Sequence, residues 1–486
     1  MTIFSLHLKR FKIIQSYVQY SSIAKNLSDP AKWRRMKDYT DSAMPRTRAD
    51  PVITKLDTPE FRSIFTPELD TLVSLFKKHN YEIRIAGGAV RDILMGITPK
   101  DLDFASTATP DQMKQLFTDE GIRMLNTKGE KHGTITARIN DAENFEITTL
   151  RIDVVTDGRH ADIEFTTDWK LDASRRDLTI NSMYLDLDGR VFDFFFGYED
   201  LKNRRIAFVG DPATRIQEDF LRILRYFRFY GRIAEHPDSH DEATIKAITD
   251  NVEGLSRISG ERIWSEWSKI LEGNFGVELT TKMMECNMAK YIGLPENPDM
   301  ENFKHISERA RSNGHKLQPI TMVSAMLKDT DQALKLHERL KLSAYNRDMA
   351  AFITTHRDKE LTPYPLYPFQ CLLLSSPKGI VTREYINEVM KYRGAFELLK
   401  SFEEWNPPKF PVNGNDLKPH VPHPKLMAHT INALRESWLL DGCKTSKDEL
   451  IKRVPDIVVS LEEKYKALLE KVPVKQNKTN VKKRNK

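Results

Sequence analysis

Between residues 81 and 196 apolar and polar positions alternate in five short runs, which predicts strands over 81–86, 101–105, 134–139, 144–150 and 190–196. Ahead of them Phe61, Ile64, Phe65, Leu69, Leu72, Leu75 and Phe76 recur at helical spacing and predict a helix over 59–79. Shorter helices are expected between the strands, over 89–95 and 110–117. From about residue 198 the period of two disappears and the chain reads as helix almost throughout. Ile216, Phe220, Leu221, Leu224, Phe227 and Tyr230 line one side of a helix over 215–232, and Ser259 is an N-cap for a helix through Trp264, Trp267 and Ile270. Prolines at 363, 365 and 368, and again at 407, 408 and 411, mark joints. The fold class is therefore α+β, a small mixed sheet followed by helices, with no internal repeat.

Composition adds bounds. With 486 residues and 40% apolar content the chain has material for a sizeable core and about three or four domains. No apolar stretch approaches the roughly 20 residues that cross a bilayer as a helix. Cys286, Cys371 and Cys443 are far apart and lack metal-ligand spacing, so they read as reduced thiols of an intracellular protein. The net charge of +6 is not spread evenly: residues 1–28 carry +4 and residues 471–486 carry +7, which leaves −5 for everything between. Overall charge thus says little about nucleic acid, and only a local patch on the folded part would serve. Residues 1–28 hold Lys9, Arg10, Lys12 and Lys25 without an acid, among spaced apolar residues and serines, the pattern of a mitochondrial presequence. Translation from Met36 or Met44 would remove it and leave the rest whole, which predicts a second, cytosolic or nuclear form. Residues 29–55 are polar and read as linker, and 471–486 as a solvated lysine-rich tail.

The chemistry gathers in the strand region. In Ile85-Ala-Gly87-Gly88-Ala-Val-Arg91-Asp92 two glycines separate an apolar strand from a helix start, where backbone comes close to a phosphate and Arg91 adds a charged fork. Alone, such a turn is only a tight turn. Ten residues on, Lys100-Asp101-Leu102-Asp103-Phe104 puts two carboxylates on one face of a strand, with Leu102 and Phe104 on the other. Two adjacent anions repel unless a cation lies between them, and magnesium, with manganese as a substitute, suits hard oxygen ligands and nucleotide phosphates. Glu146 is the candidate third carboxylate, binding metal or taking a proton. Downstream, Asp219, Arg222, Arg225 and Arg228 are spaced by three along the expected helix. An aspartate accepts from the exocyclic amine shared by cytosine and adenine, and arginine donates to ring acceptors. Intrahelical ion pairs would explain the same residues.

The order Gly87-Gly88-x-x-Arg91-Asp92, Asp101-x-Asp103, Arg175-Arg176-Asp177-Leu-Thr-Ile-Asn181-Ser-Met183, then Glu218-Asp219-x-x-Arg222-x-x-Arg225 resembles the motif set of class II CCA-adding enzymes, the tRNA nucleotidyltransferases, a group shared with bacterial poly(A) polymerases. The resemblance spans roughly residues 56–270 and points to the eukaryotic mitochondrial and cytosolic type. It implies a nucleotidyltransferase head at 56–190, then helical neck (191–260), body (261–345) and tRNA-binding tail (346–470). It implies that Asp101 and Asp103 bind metal and that Gly88 and Arg91, with Gly87 and Asp92 beside them, meet the triphosphate. Arg176 would contact the nucleotide, Asp177 and Asn181 the ribose side, and Asp219 and Arg222, with Arg225 and Arg228 nearby, the base. Asp157, Gly158 and Arg159 would belong to a flexible specificity loop, although a plain surface hairpin is the equal alternative. The reaction implied is addition of C, C and A to the tRNA 3′ end from CTP and ATP, by a monomer or homodimer acting on the acceptor stem. A poly(A) polymerase, a C-only or A-only enzyme, and a non-catalytic RNA-binding scaffold remain the alternatives.

Overall fold

The computed structural model describes residues 46–464, except 126, 157–160, 362 and 377–378. The expected presequence, Met36, Met44, the expected loop residues Asp157, Gly158 and Arg159, and the lysine-rich tail lie outside the described residues. The chain divides into two compact units, one ending at Gly254 and the other beginning at Leu255.

The first unit opens with strand β1 (Val52–Lys55), so the end of the expected linker is an edge strand of the head's sheet. The helix expected over 59–79 is two helices, α1 (Pro59–Arg62) and α2 (Pro67–Lys78). The break follows from two Thr-Pro starts: the hydroxyls of Thr58 and Thr66 each cap a new N-terminus, accepting from Phe61 N and Leu69 N. Then come β2 (Ile83–Ala86), α3 (Gly88–Leu94), β3 (Asp103–Ser106), α4 (Pro110–Asp119), β4 (Arg123–Leu125), β5 (Thr134–Ile139) and β6 (Glu143–Thr149). A separate hairpin, β7 (Arg151–Thr156) with β8 (Ala161–Phe165), occupies the stretch for which a flexible loop and a surface hairpin were equal expectations. It is followed by α5 (Trp169–Ser174), β9 (Tyr184–Leu185) and β10 (Arg190–Phe192). The last strand stops short of the expected 196 because the buried Asp193 carboxylate accepts from the backbone N–H of Phe195, Gly197 and Tyr198, turning the chain into α6 (Gly197–Lys202).

The eight strands of the main sheet lie in the order β1-β10-β9-β2-β3-β6-β5-β4. All neighbours are antiparallel except β3 and β6, which run parallel with Asp103 opposite Glu146. Helices α2 and α4 pack on β5, and α3 packs on β2. A cluster of Ala86, Ala105, Leu150, Trp169, Ala173, Tyr184, Phe192, Phe195 and Val209 fills the core beneath the centre of the sheet.

Three helices complete this unit: α7 (Pro212–Glu218), α8 (Arg222–Ile233) and α9 (Glu242–Asn251). The expected continuous helix over 215–232 is broken at Asp219, which has extended backbone (φ −152°, ψ 106°). The second unit is helical throughout, from α10 (Gly260–Glu272) to its last helix, Val454–Lys464. Ser259 does stand at the start of α10, but its side chain makes no capping hydrogen bond. Near its end Leu417, Leu426, Leu434, Trp438, Leu450 and Val454 form a core of their own. No helix among the described residues is long and apolar enough to cross a membrane.

Candidate active site

The site is built on the parallel pair at the middle of the sheet. Strand β3 begins at Asp103, while Asp101 precedes it in a bend, so only one of the two aspartates is held by strand pairing. The pair nonetheless interacts. Partial burial of the Asp103 carboxyl, and then the charge of Asp101, raise its pKa, with Arg176 opposing them. Glu146, opposite Asp103 in register, brings a third carboxylate to the same stretch of sheet. All three residues keep an exposed edge. Among the described residues no group of three or more His, Cys, Asp and Glu is placed to hold an ion unaided.

The Gly-Gly turn sits beside them. Gly87 (φ +65°, ψ −116°) is the residue before α3, in a conformation that L side chains rarely adopt. It is also crowded: a Cβ there would stand 3.0 Å from Arg176 Nη1 and 3.6 Å from the Asn181 carbonyl oxygen. The turn therefore requires glycine twice over, and it is closed underneath by the Arg175–Met183 segment.

That segment is the hub of a polar network. Arg91 is buried; its Nη1 donates to Asn181 Oδ1 (2.6 Å), and its Nε and Nη2 donate to Asp92 Oδ1 (3.1 and 2.9 Å). Asn181 Nδ2 reaches Asp177 Oδ1 (3.4 Å), and Arg225 Nε donates to Asp177 Oδ2 (2.6 Å). Burial pushes the Asp177 pKa up, but Arg225 and the Leu178 N–H outweigh it and leave it lowered. The second oxygen of Asp92 accepts from Arg232 Nη2 (2.8 Å). Arg225 and Arg232 are both on α8, so the network leaves that helix, crosses α3 and the 177–181 turn, and returns to it.

Beyond the break at Asp219, Arg222 is tied at three points: Nη1 donates to Glu218 Oε2 and the Arg215 carbonyl (3.0 Å), and Nη2 donates to the Arg175 carbonyl (2.9 Å). Asp219 Oδ1 accepts from Leu221 N (3.1 Å). Since Asp219 stands outside α8, the three-residue spacing places only Arg222, Arg225 and Arg228 on one helix. Arg225 and Arg228 flank the Phe229 ring at 5.3 and 5.1 Å.

The sequence reading missed Asp172, Tyr184 and Arg232. Asp172 is 1% exposed and accepts from Arg151 N, Arg175, Arg176 and Tyr184 Oη. Burial would raise its pKa, but Arg175 and Arg176, with the Tyr184 and Arg151 hydrogen bonds, hold it at about 2. Burial, then Arg175, brings the Arg151 guanidinium down to about 10. The one signal available was an acidic residue three and four positions before a pair of arginines.

A mixed sheet that sets paired carboxylates next to a glycine turn, with arginines converging behind it, defines a nucleotidyltransferase. Residues 83–207 match the family described as Poly A polymerase head domain, and residues 240–300 match the one described as probable RNA and SrmB-binding site of polymerase A. The mitochondrial CCA tRNA nucleotidyltransferase 1 of Homo sapiens is 50% identical over 403 residues, which cover 82% of this chain and 92% of the human one. That of Danio rerio is 47% identical over 405 residues, covering 82% and 92%. The fold is that of the Bacillus stearothermophilus CCA-adding enzyme solved in complex with CTP (TM-score 0.59, 23% identity, 84% of this chain and 100% of that one). It is also that of the Thermotoga maritima enzyme solved with tRNA (TM-score 0.55, 20% identity, 85% and 100%). This chain belongs to the CCA tRNA nucleotidyltransferase family.

Proposed function

We propose that the chain adds C, C and A to the 3′ end of tRNA from CTP and ATP without a nucleic-acid template, with Asp101, Asp103 and Glu146 as the reacting centre and the Arg176–Arg225 network as the nucleotide site. The observation that carries this reading is the register of Asp103 against Glu146, immediately beside a Gly87 turn backed by Arg176. The tRNA 3′-oxygen forms a bond to the α-phosphorus, the bond from that phosphorus to the pyrophosphate oxygen breaks, and the hydroxyl proton passes to the carboxylate cluster.

The donor set fits a hard divalent cation. The side chains of Asp101 and Asp103 offer only oxygens, the donors a hard cation such as magnesium takes, and they would hold it while leaving ligand positions open to substrate and water. Magnesium, or manganese in its place, supplies charge neutralisation at the reacting phosphate. The chain's own residues do the rest. Gly87 and Gly88 let the start of α3 approach the triphosphate, and Arg176 faces it. Asp177 and Asn181 orient the ribose. Asp219 accepts from the amine of cytosine or adenine, a hydrogen bond that a base without this amine does not make. The tail helices receive the tRNA. The relatives are named as mitochondrial enzymes, and with the acid-free first 28 residues this supports action in the mitochondrion; a second form beginning at Met36 or Met44 is proposed on the position of those methionines alone.

Incubation with a tRNA transcript lacking CCA gives two added nucleotides with CTP alone and three with CTP plus ATP. Long A tails, or no use of CTP, overturn the reading. Asp101→Ala folds but loses turnover by orders of magnitude; wild-type turnover in that variant removes the carboxylates from the chemistry.

A further inference from the structure

We propose that Asp172 is a positioning residue for the transfer reaction: it holds the Arg176 guanidinium against the Gly87 turn and so fixes the arginine at the phosphate end of the nucleotide site. The proposal rests on the reading of Arg176 as a nucleotide contact.

Asp172 is too deep to touch a substrate, and its two oxygens are divided among four donors. Oδ1 accepts from Arg151 N (3.1 Å) and Arg175 Nε (2.9 Å); Oδ2 accepts from Tyr184 Oη (2.6 Å) and Arg176 Nη2 (3.3 Å). These donors come from three places that the site must keep in register. Arg151 follows the strand that carries Glu146, Tyr184 begins the strand next to β2, and Arg176 opens the segment beneath Gly87. On its other side Arg176 Nη1 donates to the Asn181 carbonyl (3.3 Å), so the guanidinium is gripped at both terminal nitrogens. Its Nε is buried with no hydrogen-bond partner among the described residues, a donor the chain itself leaves unused. Three guanidinium groups, those of Arg151, Arg175 and Arg176, crowd this point. Without the Asp172 charge they repel, and Arg176 is left with two neutral partners, the Asn181 carbonyl and the Tyr184 side chain.

The test is steady-state addition to tRNA by the full chain, with KM for CTP and for tRNA measured in wild type, Asp172→Asn, Arg176→Ala and the double variant. Both single variants are expected to raise KM for CTP about tenfold while KM for tRNA stays within about twofold, and the double variant to be no worse than Arg176→Ala. A wild-type KM for CTP in Asp172→Asn overturns the proposal, as does a double variant showing the product of the two single effects. If Arg176→Ala itself keeps the wild-type KM, the assignment of Arg176 to the nucleotide fails first. Should Asp172→Asn fail to melt cooperatively, Arg176→Lys carries the test, because lysine keeps the charge but cannot bond Asp172 and Asn181 together. A KM like that of Arg176→Ala supports orientation by Asp172, and a wild-type KM overturns it.

Discussion

Asp172 also gives the residue scale its pH dependence. Its folded-state pKa of about 2 lies below the ordinary 3.8, so the folded chain holds fewer protons there than the unfolded one. The stability this provides is fully present above pH 3.8 and is lost as pH falls through about 2, an amount on the order of 2 kcal/mol. The denaturant midpoint of wild type should fall with acid in that window, and Asp172→Asn should lack this part of the fall; parallel plots of midpoint against pH for the two proteins would contradict it. Asp103 and Glu146 were legible in the sequence because strand alternation is a local property of a few residues. Asp172 was not, because two of its partners, Tyr184 and Arg151, are 12 and 21 residues away and only the folded sheet brings them to it.

At the scale of elements, periodicity marked five of the ten described strands, β2, β3, β5, β6 and β10, and the helical second half; β1, β4 and β9 have two to four residues each, too few to show a period, and the other departures have identifiable causes. The break between α1 and α2 was written in the two Thr-Pro pairs but hidden by a helical stripe that ran through both. The break at Asp219 was harder, since apolar spacing continues across it and Asp219 shows its role only through its extended backbone. The β7–β8 hairpin agrees with the surface hairpin that the sequence offered as the equal of a flexible loop; its two strands stand outside the main sheet. Helix α8 is attached to the rest of its unit by Arg225 on Asp177 and by Arg232 on Asp92, two turns apart. The outer pair is partly exposed, so its loss costs at most about 1 kcal/mol of stability. Its effect should appear in selection instead: Arg232→Met is expected to admit UTP or GTP several-fold more readily relative to CTP, with a nearly unchanged melting temperature. Incorporation ratios from single-turnover assays decide this, and an unchanged ratio would show that the Arg232–Asp92 pair has no part in orienting the helix.

For the whole molecule, the candidate site residues lie within the unit ending at Gly254, while the described residues from Leu255 to Lys464 contribute helices, the last of them with a core of their own. Those residues could be anticipated as helix from composition and proline spacing. Their packing could not, because apolar helices of similar length offer many partners. Charge is partitioned as sharply as structure, with +7 confined to the last 16 residues and a net deficit in the middle of the chain. If those lysines assist tRNA, a chain ending at residue 470 should bind tRNA more weakly at low salt, and the difference should close as salt rises. Equal affinity at every ionic strength would assign the tail no part in RNA binding, leaving KM for CTP as a control that neither chain should move.

The bonds already made by Arg222 bear on how such an enzyme tells bases apart. Its guanidinium is engaged by Glu218 and by two backbone carbonyls before any base arrives. Those three bonds leave two of its five N–H donors for a base, on a group whose position is already set by its own chain. A base that meets Arg222 there would find the donor geometry prepared in advance, with little side-chain entropy left to lose. The arginine would then act as a fixed gauge, presenting the same two donors at each of three successive additions to one RNA end.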